Sequence, residues 1–170
     1  MQLENHVILD FDISPVGTSR LGEVDFENLT FGKVFSDHMF VMDYADGAWL
    51  RGEISAFGPM TFSPAMMSLH YGQAIFEGMK AFRQQDGSVS LFRPGRNIQR
   101  LNFSARRMSM PEVPEDIVFQ AIVELVKLDS KWVPSAPDSA LYIRPFMFAT
   151  ESHVGVRCLL YTSPSPRDTG

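Results

Sequence analysis

Residues Ser68–Arg83 read SLHYGQAIFEGMKAFR, and this run is more informative about the chain than any other part of it. Two of its aromatic residues, Tyr71 and Phe76, lie five positions apart. Because an ideal helix turns by about 100° per residue, positions five apart point about 140° away from each other. One regular helix therefore cannot present both rings to the same pocket. Gly72 offers a break, which would leave Tyr71 on a turn before a helix begins.

Two hairpins are predicted, one before this stretch and one that begins at its end. In each of them an Asp-Gly pair separates two runs of β-forming residues, which is a strong hairpin signal. The paired runs are His38–Tyr44 with Ala48–Ile54, and Met79–Arg83 with Ser88–Phe92.

Two helices are predicted after the second hairpin. The first spans Gly95–Met108, where apolar residues recur at spacings of three and four. The second opens at Pro114, with acidic residues in its first turn, and closes before Pro134. The predicted buried faces are Ile98, Leu101, Ala105 and Met108 in the first helix, and Ile117, Ala121, Ile122, Leu125 and Leu128 in the second.

The last predicted element is a strand over Ser139–Thr150. Its alternation puts Leu141 and Ile143 on one face, and Tyr142 and Arg144 on the other. Strands followed by helices and then a strand, with hairpin connections, predict an α+β domain rather than a doubly wound one. We expect a hairpin-rich sheet with two packed helices.

The composition is that of a globular domain. The 170 residues are 45% hydrophobic and 12% aromatic, and the net charge of −5 favours neither nucleic acid nor an anionic membrane as a partner. No apolar run approaches the length of a membrane span, and the first residues do not read as a secretory signal. The single cysteine excludes an internal disulfide framework and suits a reducing compartment. We therefore expect a cytoplasmic protein.

Four segments in the same order resemble the N-terminal half of the branched-chain amino-acid aminotransferases, which are pyridoxal phosphate (PLP) enzymes of fold type IV. The resemblance runs from Leu29 to Arg157. It implies the small N-terminal domain of that fold, a PLP cofactor, and amino-group transfer between Leu, Ile or Val and 2-oxoglutarate. It also implies a homodimer. The segments are Phe31–Met39, Leu69–Arg83, Leu91–Pro94 and Leu141–Pro145.

The resemblance also implies roles for individual residues. Arg100 matches the arginine that contacts the PLP phosphate, and the other matching positions bind the substrate. In the family, the residues at Tyr71 and at the two valines reach the site of the neighbouring subunit. The substrate-binding positions are Phe31, Tyr71, Phe76, Tyr142, Arg144, Val154 and Val156.

Taken without the resemblance, these residues have ordinary readings. Arg100 belongs to a face of five arginines, and such faces are usually solvated. Tyr142 and Arg144 fit an exposed strand face, and each aromatic fits a hydrophobic core. The arginines of that face are Arg93, Arg96, Arg100, Arg106 and Arg107.

None of the four lysines matches the family's Schiff-base lysine, which lies in the second domain, beyond Arg157. We therefore predict that no catalytic residue is present and that the chain is inactive by itself. The histidines have no ligand spacing, so no metal site is predicted. The lysines are Lys33, Lys80, Lys127 and Lys131.

The predicted organisation is an N-terminal arm at 1–28, the aminotransferase small domain at 29–157, and a tail at 158–170 that is not biological. The tail contains Pro164 and Pro166, which forbid a continuing strand, and it resembles a reading frame of a sequencing adapter. A natural disordered tail is the alternative. Two rival functions stay open: another type IV activity such as D-amino-acid transamination, and a truncated, non-catalytic dimerisation or binding domain.

Overall fold

The computed structural model describes residues 10–26 and 28–154. Among these, one compact unit comprises residues 10–60 and 75–147, and a second comprises 61–74 and 148–154. The predicted tail and Val156 lie outside the described residues.

Within that part of the chain, ten short strands and three α-helices form, with two 3-10 turns at Arg20–Glu23 and Ser130–Trp132. The α+β prediction is confirmed. The helices are α1 (Met67–Tyr71), α2 (Pro94–Arg107) and α3 (Glu115–Leu128). The strands are β1 (Phe11–Ile13), β2 (His38–Val41), β3 (Tyr44–Ala45), β4 (Ala48–Trp49), β5 (Gly52–Ala56), β6 (Ala74–Phe76), β7 (Met79–Arg83), β8 (Val89–Leu91), β9 (Leu141–Ile143) and β10 (Phe146–Phe148).

The first predicted hairpin is present, but it is built in two parts. Strands β2 and β5 pair antiparallel, and the short β3–β4 ladder forms the tip of the hairpin. Asp46 and Gly47 both have positive φ, as a tight two-residue turn requires. Strand β1 lies in the segment predicted as an arm, yet it pairs parallel with β5 and buries Phe11.

The second predicted hairpin, β7–β8, is confirmed, and β9 pairs with the other edge of β7. The single strand predicted over Ser139–Thr150 is instead split into two. Strand β9 pairs with β7, whereas β10 pairs with β6. Pro145 separates them because proline has no N–H to donate to a ladder. Its carbonyl instead accepts a 2.9 Å hydrogen bond from the Glu77 amide.

Helix α2 buries three of its four predicted residues, Ile98, Leu101 and Ala105. The prediction was wrong for Met108, which is 37% exposed because the helix ends at Arg107. Asn102 is buried in its stead.

Both polar atoms of the Asn102 side chain are hydrogen-bonded. Its amide donates to the Val113 carbonyl at 3.0 Å, and its oxygen accepts from the Val113 amide at 2.7 Å. The pairing removes the cost of burying a polar group without partners.

Helix α3 is apolar on more than one side because it packs against several elements. Its predicted residues Ile117, Leu125 and Leu128 pack around the core cluster that contains Phe11 and Ile54. The helix also buries Val118 and Ile122 in a cluster with α2, and Val126 in a third cluster with β7. Burial of Val118 and Val126 was not predicted, since one amphipathic stripe cannot describe a helix with several packed faces.

A polar cluster is buried where β2 meets the end of α3, and we call it the His38 cluster. It comprises Asp37, His38, Asp129 and Trp132, with the Val16 amide at its edge. Asp129 receives the His38 backbone amide at 3.1 Å and His38 Nδ1 at 2.6 Å. The Trp132 indole donates to Asp37 at 2.8 Å. Because the Val16 amide donates to His38 Nε2 at 3.0 Å, the imidazole proton resides on Nδ1.

In the second unit, α1 is a short helix whose first amides donate outside the helix. The Met67 amide donates to the Glu151 carbonyl at 2.9 Å, and the Ser68 amide to the Ala149 carbonyl at 3.1 Å. Gly72 ends the helix in the left-handed conformation, with φ of 66°. The expectation that a helix follows Gly72 was therefore wrong: the helix precedes it, and Phe76 lies on strand β6. No helix in the described ranges is long and apolar enough to cross a membrane.

Candidate cofactor and substrate site

The exposed side of α2 carries Arg100, and its guanidinium is bound side-on by Glu77. Nε donates to Glu77 Oε1 at 2.9 Å, and Nη2 donates to Oε2 at 2.5 Å. The arginine side chain is 66% exposed, whereas the glutamate side chain is 11% exposed. The pair therefore joins a fixed acid to an accessible cation.

Glu77 is fixed because other groups also bind its carboxylate. Asn97 Nδ2 donates to Oε2 at 3.3 Å, and the Gly78 amide lies 3.4 Å from the same oxygen. Asn97 is itself held by the Gly78 carbonyl at 3.0 Å. Hydrogen bonding from Arg100 lowers the pKa of the Glu77 carboxyl below its ordinary value of 4.5, although burial acts in the opposite direction. The acid is therefore ionised near neutral pH.

Arg100 keeps donors that Glu77 does not use. A guanidinium has five N–H donors, and the side-on pair takes one from Nε and one from Nη2. Among residues 10–26 and 28–154, Nη1 has no acceptor. The edge formed by Nη1 and Nη2 can therefore receive two oxygens of an anion.

A second group, which we call the aromatic face, lies around Arg144 and comprises Phe31, Phe76, Tyr142 and Arg144. The Arg144 guanidinium lies 4.9 Å from the Phe76 ring centroid and 5.3 Å from that of Tyr142. Nη2 donates to the Tyr142 hydroxyl at 3.4 Å. Phe31 meets Tyr142 edge-on at 5.2 Å. Because Phe31 is 73% and Phe76 63% exposed, these rings are open to a ligand rather than part of the core.

Gly78 allows Tyr142 to occupy this position. A Cβ atom at residue 78 would lie 2.4 Å from the Tyr142 hydroxyl oxygen and 3.0 Å from two ring carbons. Such distances are far below van der Waals contact, so any larger residue would displace the ring. The glycine is required by the close approach of the aromatic ring, since the backbone there has no positive φ.

Three consecutive residues connect the two groups. Phe76 ends β6 beneath Arg144, Glu77 binds Arg100, and Gly78 lies against Tyr142. Sequence reasoning singled out Phe76 but missed Glu77 and Gly78. The sequence did offer a signal for both residues. They directly follow a predicted pocket residue, and the chain has an arginine-rich helix face with which an acid could pair.

The predicted site residues divide between the two units. Tyr71 and Val154 belong to the second unit, and both are exposed. Tyr71 ends helix α1, with its ring 6.2 Å from that of His70. Val156 lies outside the described residues. The first unit contains Phe31, Phe76, Arg100, Tyr142 and Arg144.

Other arginines of the predicted basic face contact groups other than Glu77, and the guanidiniums of Arg106 and Arg107 both lie about 6 Å from the Phe103 ring centroid. Arg106 pairs with Glu112 at 2.5 Å, and Arg96 Nη1 donates to Gln99 at 3.1 Å. In the described ranges, no three metal-ligating side chains are grouped as a metal site would need.

Two solved structures that share this fold are branched-chain aminotransferases. The branched-chain aminotransferase of the archaeon Thermoproteus uzoniensis, determined with norvaline, matches with a TM-score of 0.53 and 21% identity, over 72% of this chain and 37% of that chain. The branched-chain amino acid aminotransferase of Escherichia coli matches with a TM-score of 0.51 and 20% identity, over 72% of this chain and 37% of that chain. The architecture is that of the small α+β domain of the fold-type IV aminotransferases.

Sequence comparison identifies the family within this fold class. Branched-chain-amino-acid transaminase 1 of Bacillus subtilis is 50% identical over 134 residues, which cover 78% of this chain and 38% of that protein. The branched-chain-amino-acid aminotransferase of Mycolicibacterium smegmatis is 43% identical over 154 residues, which cover 88% of this chain and 42% of that protein. No protein-family model matches the chain. The chain belongs to the branched-chain aminotransferase family, and it spans about two fifths of the length of these relatives.

Proposed function

We propose that residues 29–157 are the small domain of a longer PLP-dependent transaminase that exchanges an amino group between Leu, Ile or Val and 2-oxoglutarate. The observation that carries this proposal is the Phe76–Glu77–Gly78 segment, which connects a cation with a free edge to an aromatic face with its own arginine. A phosphate-bearing cofactor and a carboxylate-bearing apolar substrate need these two surfaces.

The donor set near Arg100 fits the cofactor's phosphate. The guanidinium is exposed, it is oriented by Glu77, and its second edge is open. A phosphate monoester dianion accepts two parallel N–H bonds from such an edge. When bound, PLP would supply the electron sink for amino-group transfer, and Arg100 would hold its phosphate.

The aromatic face fits the substrate. Phe31 and Phe76 would contact the branched side chain, while Tyr142 and Arg144 would receive a carboxylate. This combination suits an enzyme that accepts both an aliphatic side chain and the γ-carboxylate of glutamate. Arg144 already lies against two aromatic rings, so its side chain would lose little conformational entropy when a carboxylate binds.

The remaining assignments are also proposals. Tyr71, Val154 and Val156 would act across the interface of a homodimer, and the enzyme would be cytoplasmic. None of the four lysines of this chain is assigned a catalytic role. The catalytic lysine would lie in the part of the enzyme that corresponds to the rest of the relatives' length.

A chimera tests the function. The matched 134 residues of Bacillus subtilis branched-chain-amino-acid transaminase 1 are replaced by those of this chain. We expect the chimera to transaminate L-leucine with 2-oxoglutarate, and R100A to weaken its apparent PLP affinity at least about tenfold through loss of a charge-assisted bidentate contact. E112Q, in the loop between α2 and α3, is the control and should leave PLP affinity unchanged. Turnover of D-alanine without L-leucine would favour the D-amino-acid alternative, and a folded chimera without any transamination would contradict the proposal.

A further inference from the structure

We propose that Glu77 is a positioning residue, whose carboxylate presets the Arg100 guanidinium so that its Nη1–Nη2 edge is presented to a phosphate monoester. This inference rests on the proposed function, because it takes Arg100 to be the phosphate ligand. It adds a residue to which the sequence assigned no role.

The anchor of this arrangement is rigid. Glu77 lies between β6 and β7, and its carboxylate receives hydrogen bonds from Arg100 and Asn97, with the Gly78 amide close by. Asn97 belongs to the first turn of α2, so the carboxylate connects the strand segment to the helix that carries Arg100. The acid therefore cannot reorient without breaking several bonds at once.

The arginine alone would not be rigid. An exposed arginine has many accessible rotamers, and it loses that freedom when its head group is ordered. Side-on pairing fixes both the position and the plane of the guanidinium, because Nε and Nη2 are each bonded to a separate oxygen of Glu77. The ordering is thus complete before any ligand arrives, which favours binding.

A carboxylate beside a phosphate site also has an opposing effect, since it repels a dianion. Here both carboxylate oxygens are occupied by N–H donors, which reduces that repulsion. The pair uses only one edge of the guanidinium, so Glu77 does not compete for the donors that a phosphate needs. Orientation therefore outweighs repulsion, and removal of Glu77 should weaken phosphate binding rather than strengthen it.

The probe for this proposal is pyridoxine 5'-phosphate, compared with pyridoxine. Neither compound has an aldehyde, so neither can react with a surface lysine, and the ratio of their dissociation constants isolates the phosphate contribution. Isothermal titration of the 170-residue chain gives this ratio for the parent and for R100A, E77Q, E77D and E112Q. E77D keeps the charge but shortens the side chain. E112Q is a matched control, because Glu112 also pairs with an arginine of α2.

The phosphate advantage is the factor by which pyridoxine 5'-phosphate binds more tightly than pyridoxine. We expect it to fall about tenfold in E77Q and in E77D, to vanish in R100A, and to persist in E112Q. If R100A keeps the advantage, or the parent has none, the phosphate role of Arg100 fails and the inference fails with it. If R100A loses the advantage while E77Q and E77D keep or increase it, only the positioning role is overturned. E77D behaving as the parent while E77Q does not would show a charge effect and would also overturn positioning.

A second measurement reports the orientation directly, without any ligand. In ¹H–¹⁵N spectra, the Arg100 Nε–H resonance, identified by its loss in R100A, should be sharp and slow to exchange in the parent. It should broaden or disappear in E77Q while the backbone amide resonances stay in place. An unchanged Nε–H resonance in E77Q would overturn the proposal.

Discussion

In both the His38 cluster and the Glu77–Arg100 pair, a carboxylate accepts two hydrogen bonds from one basic residue. The two regions differ in whether that basic residue keeps hydrogen-bond donors without an acceptor. In the His38 cluster both partners are buried, with Asp129 only 2% exposed, and the imidazole has a partner at each nitrogen. In the Glu77–Arg100 pair the acid is only partly buried, with its side chain 11% exposed, while the base is exposed and keeps an edge without an acceptor in the described residues.

The difference separates a structural polar group from one that is available for binding. A buried, fully paired group holds elements together, and its loss destabilises the fold. A half-buried pair with spare donors is ordered without being saturated. The same residue types therefore serve different purposes, and the number of unused donors distinguishes them.

The largest expected effect is that of Asp129→Asn in the His38 cluster. The amide would place an N–H₂ group against one of two donors, the His38 backbone amide or Nδ1–H. We expect a loss of about 3 kcal/mol in the free energy of unfolding, measured by urea denaturation, because a buried donor is left unpaired next to a lost charge-assisted bond.

Arg100→Met is the comparison for that variant. Its urea midpoint should shift little, since the side chain is exposed and its head group is already solvated. Equal destabilisation by the two variants would show that the Glu77–Arg100 pair is also structural, and the contrast between the regions would collapse.

The next effect is that of Gly78→Ala, which acts on the aromatic face. The new Cβ would meet the Tyr142 hydroxyl at 2.4 Å, so the ring must shift, which alters its contacts with Phe31 and Arg144. We expect a loss of about 1–3 kcal/mol in stability from overpacking. In the chimera we expect a higher KM for L-leucine, because the rearranged tyrosine no longer borders the side-chain pocket.

Gly95→Ala is the matched glycine control. A Cβ atom at residue 95 would meet no heavy atom within 4 Å beyond its own helix backbone and chain neighbours, and the residue lies in the first turn of α2. This substitution should leave the KM unchanged and stabilise the domain by up to about 1 kcal/mol. A normal KM in Gly78→Ala would contradict the assigned place of Tyr142.

The smallest expected effect is on the stability of the domain at low pH. The pKa of Glu77 is lowered by hydrogen bonding from Arg100, so its stabilising contribution is fully present above its ordinary value of 4.5 and is lost as the pH falls through the lower folded value. The Glu77→Gln variant should therefore lose less stability than the parent between about pH 5 and pH 3. Equal losses, measured by urea unfolding at both pH values, would show that the pair does not stabilise the fold.

The elements predicted correctly are those that follow local rules. The Asp-Gly turns placed both hairpins, and the period of apolar residues located α2 and α3 within a few residues. The failures arose where tertiary packing overrides the local pattern. The run after Gly72 is short and apolar, so periodicity could not separate a helix from a strand, and pairing with β10 makes it a strand.

Of the candidate site, sequence reasoning singled out only the aromatic and arginine side chains. The period of two correctly put Tyr142 and Arg144 on one face, where they contact each other. Glu77 and Gly78 went unrecognised, since their importance depends on Arg100 and Tyr142, which are distant in the chain. Arg100 and Glu77 are 23 positions apart, and the helix and strand periods relate only residues a few positions apart, so they could not predict this hydrogen bond.

The His38 cluster has a consequence for how the chain is made. His38 and Asp129 are 91 positions apart, and Asp37 and Trp132 are 95. At about 5–20 residues per second, a ribosome needs roughly 5–20 s to deliver the second half of the cluster after the first. During that interval the β2–β5 hairpin and strand β1 lack the helix that covers them, and they expose Ile54 and Phe11. Until α3 has emerged, this apolar surface is open to holding chaperones.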